Sequence, residues 1–315
     1  MGESHWTRRS VLRAIPGLAM GAAAMTGETS PQAVKWSTGS NTPKTKAPPN
    51  ATDCHFHIYD ARYPADPKAV LHPGDATVED YRRLQKRLGI TRCVIVQPST
   101  YGVDNRLLLD CLANFGIANS RGVAVVNTGV RDAELRQMHA AGVRGIRFNL
   151  VQAGATTPDM IDPLARRVAP LGWHIQIQAS ADQIVAGQEV WQRVPCPVVF
   201  DHMGHVPEPQ GTGHPVFAVI CRLMQKGRAW VKISGFYMET AVGPPTYSDR
   251  VAIAKAYAKE APERLVWGSD WPHPTEKDDG KPDDALLFDL LATCIPDEGL
   301  RNRVLVEHAA ALYGF

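Results

Sequence analysis

Residues 143–178 contain the pattern that decides the fold. The short apolar runs 143–149 (VRGIRFN) and 174–178 (HIQIQ) enclose the helix-length segment 158–171 (PDMIDPLARRVAPL). Gly172 follows that segment, where a helix commonly ends before the next strand begins. This alternation is typical of a β-α-β unit in which helices cover a parallel sheet.

The same alternation continues through the chain from Ala51 onward. We predict eight strands, at Asp53–Ile58, Arg92–Gln97, Gly122–Asn127, Val143–Asn149, His174–Gln178, Val198–His202, Trp230–Ser234 and Leu265–Ser269. We predict helices between and after them, at Val78–Leu88, Asn105–Ala118, Arg131–Ala141, Pro158–Leu171, Ala181–Arg193, Val216–Lys226, Arg250–Ala261, Asp284–Thr293 and Glu298–Leu312. Eight β-α units in one chain of this size predict an α/β fold, a single (β/α)8 TIM barrel. A doubly wound open sheet is the alternative, but no G-x-G-x-x-G follows any predicted strand.

The N-terminal residues have the features of an export signal. Arg8 and Arg9 precede the weakly apolar run 14–25, which is too short to span a membrane. A basic start, an apolar middle and small residues are typical of a secretory signal, and the arginine pair with Leu12 resembles a twin-arginine signal. We therefore predict a signal peptide over residues 1–26, the twin-arginine translocation machinery as a partner, and a periplasmic location. The alternative is a basic N-terminus without a targeting function.

Residues 27–50 are rich in Thr, Ser, Pro, Lys and Asn, and we predict a disordered linker there, followed by the catalytic domain over residues 51–315. The net charge of the chain is +2, and residues 1–26 carry all of it. The remainder has no basic surplus for nucleic acid or an anionic membrane. We expect a small-molecule substrate, no nucleic-acid partner and no stable membrane span.

Two strand ends contain the strongest candidates for catalysis, because the chemistry of a (β/α)8 barrel lies at the C-terminal ends of its strands. His55 and His57 are two positions apart on the first strand and point to the same side, where they could bind a metal or stabilise an oxyanion. Asp270 ends the eighth strand and is suited to accept a proton from water. A structural role for Asp270 as a helix N-cap is disfavoured by Pro272 and by the long loop that follows.

The middle strands supply candidates for substrate binding. Arg147 alternates with apolar neighbours and is expected to point inward, where it either binds a substrate carboxylate or forms an internal salt bridge. Gln178 lies at the mouth end of the fifth strand and is predicted to hydrogen-bond the substrate. Lys232 on the seventh strand is either a catalytic amine or, more commonly, a structural charge partner. Tyr237, on the loop after that strand, is predicted to close over the substrate.

The sixth strand ends in Asp201 and His202, which strand alternation places on opposite sides. We expect His202 inside the site and Asp201 in the supporting wall. His205 follows shortly after and is a further candidate for contact with the substrate.

Together, three motifs resemble the amidohydrolase superfamily: His-x-His at 55–57, Asp-His-Met-Gly at 201–204 and Trp-Gly-Ser-Asp-Trp-Pro at 267–272. Within the superfamily, they are similar to the amidohydrolase-related branch that contains pyrone-dicarboxylate and sugar-lactone hydrolases. The resemblance covers about residues 51–315.

The resemblance implies a catalytic core formed by His55, His57, His202 and Asp270, which would also be the ligands if a metal is present. It implies Arg147 as a carboxylate binder. The metal-bridging lysine of binuclear members has no counterpart, because Arg147 occupies the fourth strand. The resemblance therefore implies either no metal or one divalent ion, with zinc as the first choice.

The function that follows is hydrolysis of a lactone, either a carboxylated pyrone-like lactone or a sugar lactone. Asp270 would activate water, and the three histidines would stabilise the oxyanion directly or through a metal. A dicarboxylated pyrone is disfavoured, because His205 follows the sixth-strand motif and the loop at 235–239 lacks arginine. Two alternatives remain: a mononuclear zinc-dependent decarboxylase or amide hydrolase of the same superfamily, and a non-catalytic periplasmic binding barrel.

Overall fold

Eight parallel strands form one sheet in which each strand pairs with the next in chain order. The computed structural model describes residues 1–3, 33–152 and 154–315, so the predicted signal peptide lies outside the described residues except for its first three. The strands are β1 (Thr52–Phe56), β2 (Arg92–Val96), β3 (Ser120–Ala124), β4 (Val143–Asn149), β5 (His174–Gln178), β6 (Val198–Phe200), β7 (Ala229–Ile233) and β8 (Leu265–Trp267).

Backbone hydrogen bonds between the segments that continue β8 and β1 close the ring. The N–H of Asp270 donates to the carbonyl of His55 over 2.7 Å, and the N–H of His57 donates to the carbonyl of Trp271 over 2.8 Å. Gly268 allows this approach, because a Cβ there would lie 2.6 Å from Cβ of His55. The predicted (β/α)8 TIM barrel is confirmed.

Helices surround the strands and bury apolar faces against them. They are α1 (Val78–Leu88), α2 (Arg106–Phe115), α3 (Asp132–Ala140), α4 (Ile161–Val168), α5 (Ala181–Ala186), α6 (Gln188–Arg193), α7 (Pro215–Gln225), α8 (Ser248–Glu260), α9 (Asp284–Cys294), α10 (Glu298–Leu305) and α11 (Glu307–Tyr313). Among the described residues, none of these helices has both the length and the apolar character needed to cross a membrane.

Two predicted helices are each divided into two. The helix predicted over Ala181–Arg193 breaks at Gly187, where the Trp191 ring packs so closely that a Cβ would lie 2.4 Å from it. The indole N–H of Trp191 donates to the carbonyl of Ile184 over 2.8 Å, which satisfies an acceptor that the broken helix leaves free. The helix predicted over Glu298–Leu312 likewise divides at Val306.

The described part of the predicted linker is a packed segment, which we call the N-terminal strap (residues 33–50). The indole of Trp271 donates to the carbonyl of Lys35 over 2.8 Å, and the guanidinium of Arg87 donates to the carbonyl of Asn41 over 2.8 Å. The N–H of Thr45 donates to Asp289 over 2.7 Å. The prediction of disorder is therefore wrong for residues 33–50. The contacts are made largely by backbone groups of the strap, and amino-acid composition does not reveal such contacts.

Candidate active site

Three histidines surround one carboxylate oxygen at the C-terminal end of the barrel. Oδ1 of Asp270 lies 3.4 Å from Nε2 of His55, 3.4 Å from Nε2 of His57 and 3.8 Å from Nε2 of His202. All four side chains are buried. The structure therefore brings together the four residues predicted as the catalytic core.

Local backbone geometry aims these side chains at one point. His55 and His57 lie two positions apart where β1 ends, so they face the same side, as predicted. Asp270 has a φ of 61°, a left-handed conformation that is uncommon for a residue other than glycine and that recurs at functional sites. The bond from its N–H to the His55 carbonyl holds this conformation.

Each histidine is oriented by a partner on its other ring nitrogen. Nδ1 of His57 contacts the carbonyl oxygen of Val96 at 2.8 Å. A carbonyl oxygen only accepts, so Nδ1 donates, and Nε2 of the neutral ring presents a lone pair to the site. Nδ1 of His202 lies 2.9 Å from the hydroxyl of Ser234, which the sequence analysis missed although it directly follows β7.

The chain turns sharply after β6, and this changes the predicted placement of Asp201. The strand ends at Phe200, and His202 and Met203 have φ values of 46° and 57°. The backbone of Asp201 is still extended, so alternation from the inward-facing Val199 points the Asp201 side chain into the barrel. The left-handed turn at His202 brings its ring in as well, so the two side chains do not point to opposite sides. The expectation that Asp201 and His202 lie on opposite sides is wrong, and Asp201 supports the site from inside the barrel.

Asp201 is the centre of a buried ionic network beneath the histidines. Its Oδ2 accepts from Nε of Arg147 at 3.0 Å, its Oδ1 lies 3.2 Å from Nδ1 of His55, and Nζ of Lys232 is 3.7 Å away. Burial opposes ionisation of Asp201, but His55, Arg147 and Lys232 outweigh it and hold its pKa well below its usual range. The carboxylate of Asp201 thus partly balances the positive charges of Arg147 on β4 and Lys232 on β7 inside the barrel.

The same network settles the options for Lys232 and constrains those for Arg147. Nζ of Lys232 donates to the carbonyl of Cys54 at 2.8 Å and to Gln176 at 2.7 Å, which is the arrangement of a structural charge partner. Arg147 forms the internal salt bridge. Its two terminal amino groups have no hydrogen-bond partner among the described residues, so contact with a substrate carboxylate stays a prediction.

Burial and mutual contact set the charges of the core. Burial lowers the pKa of His202 to about 4 and that of His55 well below its ordinary value. Burial also works against ionisation of Asp270, but its contacts with His202, His57 and His55 prevail and hold its pKa well below the usual range. At neutral pH, Asp270 is therefore a carboxylate facing uncharged His55 and His202 rings.

A cleft of about 590 Å³ lies at the barrel mouth, and three of the predicted substrate-binding residues line it: Gln178, His205 and Tyr237. Nε2 of His205 lies 3.0 Å from Oε1 of Gln178, and its Nδ1 lies 2.7 Å from Oε1 of Glu239. Glu239 was missed by the sequence analysis, which noted only that its loop lacks arginine. The hydroxyl of Tyr237 donates to Oδ2 of Asp270 over 2.5 Å and so connects the cleft to the catalytic core.

The core residues fit one divalent metal ion. His55, His202 and Asp270 offer ligand atoms within 4.8 Å of one another, and Oδ1 of Asp270 has no hydrogen-bond partner among the described residues. Nε2 of His55 and Nε2 of His57 are 3.3 Å apart. Zinc bound to nitrogen or oxygen at about 2.0–2.1 Å would hold neighbouring ligand atoms roughly this far apart, and nitrogen and carboxylate oxygen are ligands that it accepts. Partners on the outer ring nitrogens are also typical of metal-binding histidines.

Comparisons with known proteins place the barrel in a family. The family model described as Amidohydrolase matches residues 52–315. The 2-pyrone-4,6-dicarboxylate hydrolase of Comamonas testosteroni is 35% identical over 298 residues, which cover 91% of this chain and 97% of the relative. The D-galactarolactone isomerase of Agrobacterium fabrum is 32% identical over 274 residues, covering 86% and 93%. The 4-sulfomuconolactone hydrolase of Rhizobium radiobacter is 32% identical over 273 residues, covering 85% and 91%.

Proposed function

This chain belongs to the amidohydrolase family, and on that premise we propose that it opens a lactone ring by hydrolysis. The observation that carries the proposal is the position of Asp270, whose Oδ1 faces three imidazole Nε2 atoms next to a substrate-sized cleft. Two of the similar proteins are named as hydrolases of lactone-type compounds, and the third is named as a lactone isomerase.

Asp270 is the base in this mechanism. It accepts a proton from a water molecule, and the water oxygen attacks the lactone carbonyl carbon. The bond between that carbon and the ring oxygen then breaks, and the ring oxygen receives the proton from Asp270 to become a hydroxyl group. Water and lactone thus give one hydroxy acid, and the ionised Asp270 is regenerated.

The oxyanion that forms on the carbonyl needs positive charge nearby. Nδ1 of His57 donates to the carbonyl of Val96, so an uncharged His57 ring has only a lone pair on Nε2 and cannot donate a hydrogen bond to the oxyanion. We therefore favour the metal-assisted form of the mechanism, with zinc held by His55, His57, His202 and Asp270. When bound, zinc would act as a Lewis acid that polarises the carbonyl and acidifies water.

Release of acid tests the proposal directly. We expect purified protein to release one proton per lactone consumed at neutral pH, with the ring-opened hydroxy acid as the product. A panel of lactones followed by pH-stat titration and mass spectrometry would measure both. If no lactone in a broad panel is opened while the protein is folded, the proposal is wrong.

Isomerisation is the second candidate, because a similar protein is named as a D-galactarolactone isomerase. The two reactions are separable, since isomerisation rearranges the lactone without consuming water or releasing a proton. Product analysis by NMR in H₂¹⁸O would decide between them: hydrolysis incorporates one labelled oxygen, whereas an intramolecular isomerisation incorporates none.

We also propose export to the periplasm by the twin-arginine translocation machinery. The support is the sequence alone, namely Arg8 and Arg9 ahead of the run 14–25. In a bacterial host, the wild-type chain should be recovered from the periplasm without residues 1–26. A variant with both arginines replaced by lysine should stay in the cytoplasm at full length. Equal export of the two chains would contradict the proposal.

A further inference from the structure

We propose that the cleft at the barrel mouth selects a lactone that carries hydroxyl groups and at most one negative charge. The inference rests on the lactone hydrolysis proposed above and names the class of lactone. The described residues that line the cleft include three carboxylates, and no lysine or arginine is among them. The carboxylates belong to Asp182, Glu239 and Glu276.

The two histidines of the cleft do not change this balance, because each one faces a carboxylate. Nδ1 of His205 lies 2.7 Å from Glu239. Nδ1 of His214 accepts the backbone N–H of Val216, so only its Nε2 is left to donate, and this atom lies 3.5 Å from Asp182. Any positive charge on either ring is therefore matched within the protein before a substrate arrives.

Glu239 keeps its own charge. Burial acts to raise its pKa, but the hydrogen bond and charge of His205 together with Arg250 outweigh burial, so the pKa of Glu239 lies below its ordinary value. A substrate with two acidic groups would meet this carboxylate and Glu276, and no lysine or arginine lines the cleft to pair with the substrate. Juxtaposed like charges disfavour binding and act as a selection against such a partner.

The remaining polar groups suit hydroxyls. Oε1 of Gln178 is engaged by His205, while its amide N–H₂ has no partner among the described residues and can donate. Asn149 is similar: its Oδ1 accepts the N–H groups of Val151 and Gln152, which leaves its amide as a donor. A hydroxyl group can accept from these amides and donate to the Glu239 carboxylate, whereas an ionised acid cannot donate.

The cations around the cleft are bound by the protein, buried or exposed. Arg250 lies 3.9 Å from Glu239, and the amine of Lys281 donates to the backbone carbonyl of Glu276. Arg147 is buried against Asp201 and does not line the cleft, so it supplies at most one site for an acidic group. Lys68 lies in neighbouring depressions that share Asn149 and Gln152 with the cleft. It is exposed, so solvent and salt screen its charge. The limit of one negative charge follows from this arrangement.

The test compares three lactones that differ in charge: a neutral aldonolactone, a singly charged aldarolactone and the doubly charged 2-pyrone-4,6-dicarboxylate. We expect kcat/KM for the neutral or singly charged lactone to exceed that for the dianion at least about tenfold. If kcat/KM for the dianion equals or exceeds that for the other lactones, the inference is wrong, whereas the proposal of lactone hydrolysis still holds. If the wild-type protein opens none of them, the broad panel described above decides whether lactone hydrolysis itself fails. The three affinities are then compared by calorimetry on the same protein, where tighter binding of the dianion overturns the selection.

Two variants test which carboxylates of the cleft disfavour the doubly charged lactone. Glu239→Gln and Glu276→Gln each remove one negative charge, and the second leaves the contact between His205 and Glu239 in place. Each should reduce the preference for the neutral lactone over the dianion at least about threefold, mainly through KM. Glu298→Gln, at the exposed start of α10, is the matched control and should leave the ratio unchanged. An unchanged ratio in both cleft variants overturns the inference.

Discussion

The hydroxyl of Tyr237 donates a 2.5 Å hydrogen bond to Oδ2 of Asp270, while Oδ1 of the same carboxylate faces three histidines. A hydrogen bond of this kind stabilises the charged carboxylate and so contributes to its low pKa. The contact also places a residue of the substrate cleft against the proposed base. Substrate binding and base strength are thus linked through one hydroxyl group.

Replacing Tyr237 with Phe should move the acidic limb of the pH profile. Hydrolysis requires ionised Asp270, whose pKa is below its usual range, so wild-type activity should persist into acid. Loss of the hydrogen bond raises the pKa of Asp270, and activity should then disappear at a pH about one unit higher. The profile of kcat/KM against pH measures this. Tyr247→Phe is the control, because the Tyr247 hydroxyl forms no hydrogen bond among the described residues. If the wild type, Tyr237→Phe and Tyr247→Phe all lose activity at the same acidic pH, the hydrogen bond from Tyr237 does not set the pKa of Asp270.

Asp270→Asn should lower kcat by roughly 10² to 10⁴, the usual contribution of a positioned general base, while circular dichroism shows an intact fold. The matched control is Asp278→Asn in the same loop, whose carboxylate is largely exposed. That variant should retain wild-type turnover. A loss well below a hundredfold in the folded Asp270→Asn protein would remove Asp270 from its role as the base.

Metal analysis should find about one zinc ion per chain, and a chelator should remove both the metal and the activity. Adding zinc back should restore activity. His57→Ala should bind much less zinc, since it removes one of four ligands, whereas His214→Ala in the cleft wall should bind the normal amount. Full activity in metal-free protein would instead assign the histidines a direct role in the hydrolysis.

Asp201→Ala should destabilise the fold by about 3–5 kcal/mol, because it leaves Arg147 and Lys232 buried without their shared carboxylate. Urea denaturation measures the change in the free energy of unfolding. The control is Asp162→Ala, which breaks surface pairs with Arg166 and Arg193 and should cost no more than about 1 kcal/mol. Similar effects in the two variants would contradict the importance of the buried network.

The residues that sequence reasoning placed correctly are those governed by strand periodicity. His55 and His57 follow the alternation of β1, and Asp270 stands directly beyond β8, so a barrel brings them together. Asp201 was misplaced because alternation was carried through His202, whereas the extended backbone ends at Asp201 and the chain turns at His202. Nothing in a local pattern reports the positive φ of His202 that turns the chain there.

Contacts between segments that are distant in the sequence could not be predicted, for a different reason. Glu239 meets His205 across two loops, and Ser234 meets His202 between two strands. Such pairs depend on side-chain directions in three dimensions, which a single sequence does not encode in any periodic signal. Arg147 shows the intermediate case: its burial and need for an anion were predictable, but the choice of Asp201 as partner was not.

The N-terminal strap separates two boundaries that are usually treated as one. The match to the family model begins at residue 52, whereas residues 33–50 already pack against the barrel. The strap carbonyl of Lys35 accepts from Trp271, the residue that directly follows the proposed base. A chain trimmed to residues 52–315 would therefore leave this indole and the Arg87 guanidinium without their acceptors in the strap. The limit of a family model is therefore not a safe place to truncate this protein.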